Sequence, residues 1–431
     1  MKHVRLAVAV ANSMMGSPIM MNSSKDREQS PTRRSFIQTS VAAAAIGMTS
    51  VVTADEQNAS GTETLSDPES WLTKPDDFDD VSRGKPIPHT LSEAERRDVG
   101  LTRDTWRLDV GSDSESPATI RRPLTADHAF TFRDLMQHAE QHSVRFPKLM
   151  TCLNIGCPLG NGIWEGVPLR DVIWKTQPVE NLRRVFYYGF HNNDPKQMFR
   201  SSLSVGRVFE DPVGLPPVIL CYKLNGQWLT PERGGPVRIV VPEAYGFKSI
   251  KWVTNVVLSN ISGANDTYAD NNNDVDSPLK TFCATLQAPT NVAAGHDFPI
   301  RGYAQVGVSG LARVQVWIHN RDEQLPDNDP YFTSAPWQDA VLLPPPKIFG
   351  GGLPGGSVPA DTAGFDIDGR PTAWPLLISK VFWHWQQPAL ARGRYSLRCR
   401  TVDLNGTAQP MPRPFRKSGH AKIEHSRFDV T

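Results

Sequence analysis

The sequence predicts an α+β protein: a mixed α/β domain followed by a β-sandwich. Pro (36) and Gly (32) are abundant among 431 residues, which favours short strands and many loops over a helical bundle. Strand and helix signals alternate from about residue 100 to 265. Beyond the polar stretch NNNDVDSP (271–278) only strand signals remain, separated by turn residues, as in a sandwich. The expected organisation is a leader over 1–54, a first domain with an N-terminal arm over 55–272, and a second domain over 273–431. Hydrophobic content of 39%, charged content of 21% and a net charge of +1 are those of a globular protein and argue against a polyanion or nucleic-acid binder. Eleven Trp residues supply large apolar bodies for an interior or an interface.

In chain order, TRRSFIQ (32–38) is a twin-arginine sequence, followed by the apolar run SVAAAAIGMTSVV and small residues ending at Ala54. The run is too short for a membrane span and reads as an export signal, so the mature chain is expected in the periplasm without an integral membrane segment. Met20 and Met21 are alternative starts. Residues 55 to about 90 are polar and rich in Asp, Ser and Pro, as an extended surface arm would be. TWRLDV and SPATIRR alternate as strands do, and TFRDLMQHAEQH has the spacing of an amphipathic helix. FPKLMTC is a strand running into Cys152, VPLRDVIWK is helical, and VFYYGF and VILCYKL are buried strands. Asn225-Gly226 signals a hairpin turn. In the second half FPIRGYAQ, ARVQVWIHN, GRYSLRCRTVDLNG and IEHSRFDV are strands, interrupted by a long insertion over about 320–375 that is either functional or a surface excursion.

Five cysteines (152, 157, 221, 283, 399) leave at least one thiol unpaired. Cys152 and Cys157 lack the further Cys or His cluster of a zinc site, and a structural zinc is not expected. A single metal-ligating thiolate remains open. A second chemical signal is the segment from 233 to 251, where Arg233, Arg238, Lys248, Ser249 and Lys251 surround Gly234, Gly235 and Gly246. Arg and Lys forks with Gly allowing close approach suit a phosphate; a solvated basic hairpin is the alternative.

VILCYKLNGQWLTPERGGPVRIVVPEAYGFKSIKWV resembles a segment of the sulfite oxidase family, and IRGYAQ, FWHWQQP and RCRTVDLNGTAQP resemble that family's C-terminal dimerisation domain. The resemblance covers roughly residues 80 to 430. It implies a sulfite-oxidase-type molybdopterin-binding domain, an immunoglobulin-like sandwich, a homodimer, and a molybdenum–molybdopterin cofactor. It places Arg233, Arg238, Gly246, Phe247, Lys248, Ser249 and Lys251 at the pterin. Cys152 becomes the metal ligand, with Cys157 as its rival, because a soft thiolate suits molybdenum and a strand end presents it rigidly. SRGKPIP (82–88) is similar to a family arm, with Arg83 toward an anionic substrate and the pterin, and Lys85 toward the cofactor. Two departures stand out. Phe199 occupies the place of an active-site tyrosine, with Arg200 beside it as a substitute charge, and the Arg expected before the Trp cluster is absent, Lys380 being the nearest base.

The activity implied is two-electron oxygen-atom transfer on a small anionic or sulfur-containing substrate. No CxxCH haem motif is present, so a separate electron carrier is expected, a c-type cytochrome in the periplasm. The alternatives are a reductase of oxidised sulfur compounds such as sulfoxides, and a cofactor-free scaffold on the same fold.

Overall fold

The computed structural model describes residues 70–153, 158–191, 194, 196–276, 278–325, 327–410, 413–419 and 422–431. The twin-arginine segment, the first part of the N-terminal arm (55–69) and Cys157 lie outside the described residues. The described residues form one compact unit.

The first half carries β1 (Arg107–Ser112), β2 (Phe130–Thr131), β3 (Val144–Thr151), β4 (Pro158–Pro168), β5 (Arg184–Gly189), β6 (Arg200–Ser204), β7 (Ile219–Leu224), β8 (Gln227–Trp228), β9 (Arg238–Val240) and β10 (Val253–Ser259). Helices are few: α1 (Glu93–Asp98), α2 (Phe132–His142), α3 (Leu169–Lys175) and α4 (Val205–Phe209). One sheet runs β2-β1-β10-β5-β6; the other runs β3-β4-β7-β8 with β9 added to β7. They close over a core that includes Trp106, Leu108, Phe146, Trp164, Val185, Tyr187, Ile219 and Val256. α2 starts where the sequence predicts. Thr131 caps it, its hydroxyl accepting from Asp134 N while the Asp134 carboxylate accepts from Thr131 N.

The second half carries β11 (Phe282–Gln287), β12 (Asn291–Val292), β13 (Phe298–Gln305), β14 (Arg313–Asn320), β15 (Gln338–Asp339), β16 (Val341–Leu342), β17 (Lys380–Gln387), β18 (Gly393–Val402) and β19 (Glu424–Val430). The sheets β11-β13-β17-β16 and β12-β19-β18-β14-β15 enclose their own core around Ile300, Val314, Trp383, Leu397 and Phe428. This is the α+β architecture expected, a mixed domain and a sandwich.

Asn225 (φ 50°) and Gly226 (φ 77°) form the predicted two-residue turn, with Leu224 paired to Gln227. SPATIRR is not a strand. Only isolated bridges form there, Pro117 with Ser259 and Ile120 with Pro178, because the prolines lack the N–H a ladder needs. The long insertion is no free excursion either. Its Phe349, Leu353, Val358 and Leu376 are buried with Trp71, Leu72 and Ile163. Leu72 N donates to Phe349 O at 2.8 Å and Arg145 pairs with Asp361 at 2.8 Å, so the insertion straps the first half of the chain.

A candidate molybdopterin site

β3 is the rigid element from which the site is built. Lys148 on it is fully buried, and its Nζ donates to Pro242 O and Ala244 O at 2.7 Å each. Burial pushes its pKa down to about 7. Its stem thus ties β3 to the turn that follows β9. One residue past the strand's end sits Cys152, half-buried and unpaired. The end itself is pinned from the sandwich. Thr151 Oγ1 donates to Gln305 Oε1 at 2.6 Å, and Gln305 Nε2 donates to Lys280 O at 2.6 Å.

Cys152 opens into a cavity of about 560 Å³. One wall is the turn between β9 and β10, contributing Gly246, Phe247, Ser249, Ile250, Lys251 and Trp252. The arm gives Phe78, Asp79, Ser82 and Arg83; beneath lie Met150, Trp164 and His191. Tyr268, Asn271 and Asn273 also line it, as do Arg416 and Lys417 of the loop between β18 and β19.

The inner cations are held by the protein itself. Arg238 is 5% exposed; its Nη1 donates to Arg233 O at 2.9 Å and its Nη2 to Ser249 O at 2.6 Å, over the face of Trp164. Burial draws its pKa down to about 10. Arg233 donates to Asp79 O at 3.2 Å and pairs with Glu232 at 3.3 Å. Lys251 donates to Asp80 Oδ1 at 2.5 Å, Ser82 Oγ at 2.8 Å and Glu232 O at 2.8 Å, and burial followed by the Arg238 charge brings its pKa down to about 8. Gly234 lets this happen: at φ +94° a Cβ there would lie 2.7 Å from Lys251 Cβ. Arg233 Nε, Arg238 Nε and Asn273 Oδ1 are nevertheless buried without a hydrogen-bond partner. Such atoms are costly unless a ligand completes them.

At the mouth, Arg83 is exposed and lies over the Phe199 ring at 4.7 Å. Phe199 meets Tyr268 edge-on at 5.6 Å, and Tyr268 stacks on Phe247 at 3.9 Å. His191 is buried and carries its proton on Nδ1, which donates to Gly189 O at 2.8 Å; burial holds its pKa below the ordinary value.

The structure therefore gathers Arg83, Cys152, Phe199, Arg233, Arg238, Gly246, Phe247, Ser249 and Lys251 around one cavity. It leaves out three expected residues. Lys248 turns inward: its Nζ donates to Ser202 O at 2.7 Å and faces the buried Asp266 at 3.5 Å. Arg200 lies over Phe186 and donates to Asn265 O, clamping the segment after β10 rather than supplying charge to the cavity. Lys85 borders a small neighbouring depression shared with Arg83, Asp194 and Lys196. Lys380 is buried beside Phe382 and does not line the cavity. Sequence reasoning set the HNND run at 191–194 near the site but gave it no role, as polar loop residues are more often structural, and it missed Tyr268, Asn273, Arg416 and Lys417. Arg416 and Lys417 carried a signal, a basic pair in a Pro-rich loop; Tyr268 and Asn273 carried none in their polar stretch.

Residues 96–266 match the family described as oxidoreductase molybdopterin binding domain. Among curated relatives, an NADPH nitrate reductase of Pichia angusta is 33% identical over 97 residues, 22% of this chain and 11% of the relative. The NADPH nitrate reductase of Emericella nidulans is 26% identical over 201 residues, 46% of this chain and 22% of the relative. The mitochondrial sulfite oxidase of Drosophila melanogaster is 30% identical over 103 residues, 23% of this chain and 17% of the relative. The chain thus spans less than a quarter of the length of each of these three. The crystal structure of the sulfane dehydrogenase SoxCD from Paracoccus pantotrophus shares the fold, with a TM-score of 0.53 and 18% identity over 77% of this chain and 79% of that one. The residues fit the group these likenesses imply: a thiol, buried guanidinium N–H groups and a glycine-containing turn line one cavity, the donor set a phosphorylated pterin on a metal requires.

Proposed function

We propose that this chain, whose residues 96–266 match the oxidoreductase molybdopterin binding domain and which is similar in part to a sulfite oxidase, is a molybdopterin-dependent oxidoreductase of the sulfite oxidase family that transfers an oxygen atom to or from a small anionic or sulfur-containing substrate and exchanges the two electrons with a separate carrier. The observation that carries the reading is the pairing of Cys152 with two buried guanidinium groups, Arg233 and Arg238, whose Nε atoms have no protein partner. When bound, the cofactor supplies a metal centre able to exchange an oxygen atom and two electrons. Cys152 would ligate the metal, while Arg233, Arg238 and the backbone of 246–249 would hold the pterin phosphate. The chain's own groups do the rest. Arg83, braced on Phe199, attracts the anion at the mouth. Phe199, Phe247 and Trp252 exclude water from the reacting end. Neutral His191 is placed to hold a proton beside the substrate. The proposed setting is the periplasm after twin-arginine export, with a c-type cytochrome as carrier and a homodimer through the sandwich.

The apolar walls also suit a thioether, which supports the reverse reaction, reduction of a sulfoxide, as a second reading. Assay of molybdenum-loaded protein with sulfite and a cytochrome acceptor, and separately with sulfoxides and a reduced dye, tests both. Turnover in either assay that Cys152→Ala abolishes supports oxygen-atom transfer; metal-loaded protein inactive in both overturns it.

A further inference from the structure

Outside the cavity, α2 and α3 present a second constellation. His138 and His142 stand four residues apart on α2 and so share a face. Their rings stack with centroids 4.3 Å apart and planes 16° apart; a shared ion must lie in the plane of both rings, so binding turns one ring about χ2, a soft torsion for His. Asp171, in the first turn of α3, brings Oδ2 within 3.4 Å of His138 Nε2. One donor atom from each of the three lies within 4.8 Å of the others.

That 3.4 Å is long for a charge-assisted hydrogen bond, which runs about 2.7–2.9 Å. It equals the spacing of two ligands on one tetrahedral ion: bonds of about 2.0–2.2 Å place donors roughly 3.3–3.5 Å apart. His138 is half-buried, with Nε2 turned toward Asp171. Asp171 is only loosely engaged elsewhere. Arg170 Nε stands 3.9 Å away, while the same guanidinium bonds Asp211 at 2.6 Å. Lys175 is the nearby charge that opposes a cation.

We propose that His138, His142 and Asp171 form a divalent transition-metal site, suited to zinc, that clips α2 to α3 and leaves a fourth position open. Two imidazoles and a carboxylate favour zinc over calcium or magnesium, which take oxygen ligands. No structural zinc is expected from the sequence because Cys152 and Cys157 lack a further Cys or His cluster; the histidine pair becomes a site only where α3 delivers Asp171. The site is independent of the pterin cavity.

Purified holoprotein, stripped with a mild chelator, should be titrated with Co²⁺ by visible absorption and with Zn²⁺ by calorimetry, beside His142→Ala and Asp171→Asn. His142 is exposed, so its variant folds. The proposal expects a tetrahedral cobalt spectrum displaced by zinc, and affinity weakened at least about tenfold in both variants. Zinc should raise the melting temperature of wild type only. Absence of the cobalt spectrum, or equal binding in wild type and both variants, overturns it. Molybdenum content, read in the same samples, should not change.

Discussion

Arg238 shows how much of the site is decided by single side chains. Its charge survives burial because two carbonyl oxygens accept from it, yet its Nε has no protein partner. Arg238→Met keeps the length and removes the donors. Molybdenum and released pterin per protein should then fall at least about tenfold, since charged hydrogen bonds are worth about 1.5–3 kcal/mol; unchanged content by elemental analysis would remove Arg238 from the cofactor's grip. That Arg238 and Cys152 line one cavity agrees with the sequence signals they carry, one a basic residue among glycines, the other a thiol at a strand end. Lys248 was misread for a physical reason. A lysine in a turn points to water by default, and the carboxylate that draws it inward, Asp266, lies beyond β10, where no local pattern links the two.

At the scale of elements, β3 bears the site, and its buried Lys148 gives it a pH signature. An unfolded lysine titrates near 10.4, whereas Lys148 in the fold is drawn down to about 7. Between these values the unfolded chain holds a proton that the folded chain has shed, so this group's contribution to stability rises with pH from about 7 toward 10. Denaturant titrations at pH 7 and pH 9 should show wild type gaining on Lys148→Met at the higher pH; parallel behaviour would mean that the lysine is charged in the fold. The approach of β5 to the 251–252 backbone is tested by Gly189→Ala, whose Cβ would fall 2.1 Å from Lys251 O. The expected loss is on the order of 2 kcal/mol or more in the same titrations. Strands with unbroken apolar runs, such as β5 and β7, and the Asn225-Gly226 turn were readable because period and turn chemistry are local. SPATIRR has the alternation of a strand, but its neighbours offer only single bridges, and the choice of neighbour is tertiary.

Across the whole molecule, the sandwich reaches the site in two places. Gln305 pins the end of β3, and the loop carrying Arg416 and Lys417 is fastened to the 272–274 segment by Arg416 N to Asn272 O at 3.3 Å, Asp274 N to Lys417 O at 2.9 Å and Arg413 to Asp274 at 2.7 Å. The two-part α+β plan could be read from composition and turn spacing; this crossing of the halves could not, because it joins residues more than a hundred positions apart. Arg416 and Lys417 are exposed at the mouth. Their joint replacement by alanine should raise KM for an anionic substrate about tenfold with kcat held within about twofold, as loss of charge that acts on capture requires. An unchanged KM would assign the loop to structure alone. If Cys152 binds the metal of a pterin held by the 233–251 segment, X-ray absorption at the molybdenum edge will read its sulfur. Wild type should contain molybdenum with one more sulfur neighbour than Cys152→Ser protein loaded in the same host; an identical sulfur shell in both, or no molybdenum in wild type, would contradict the account.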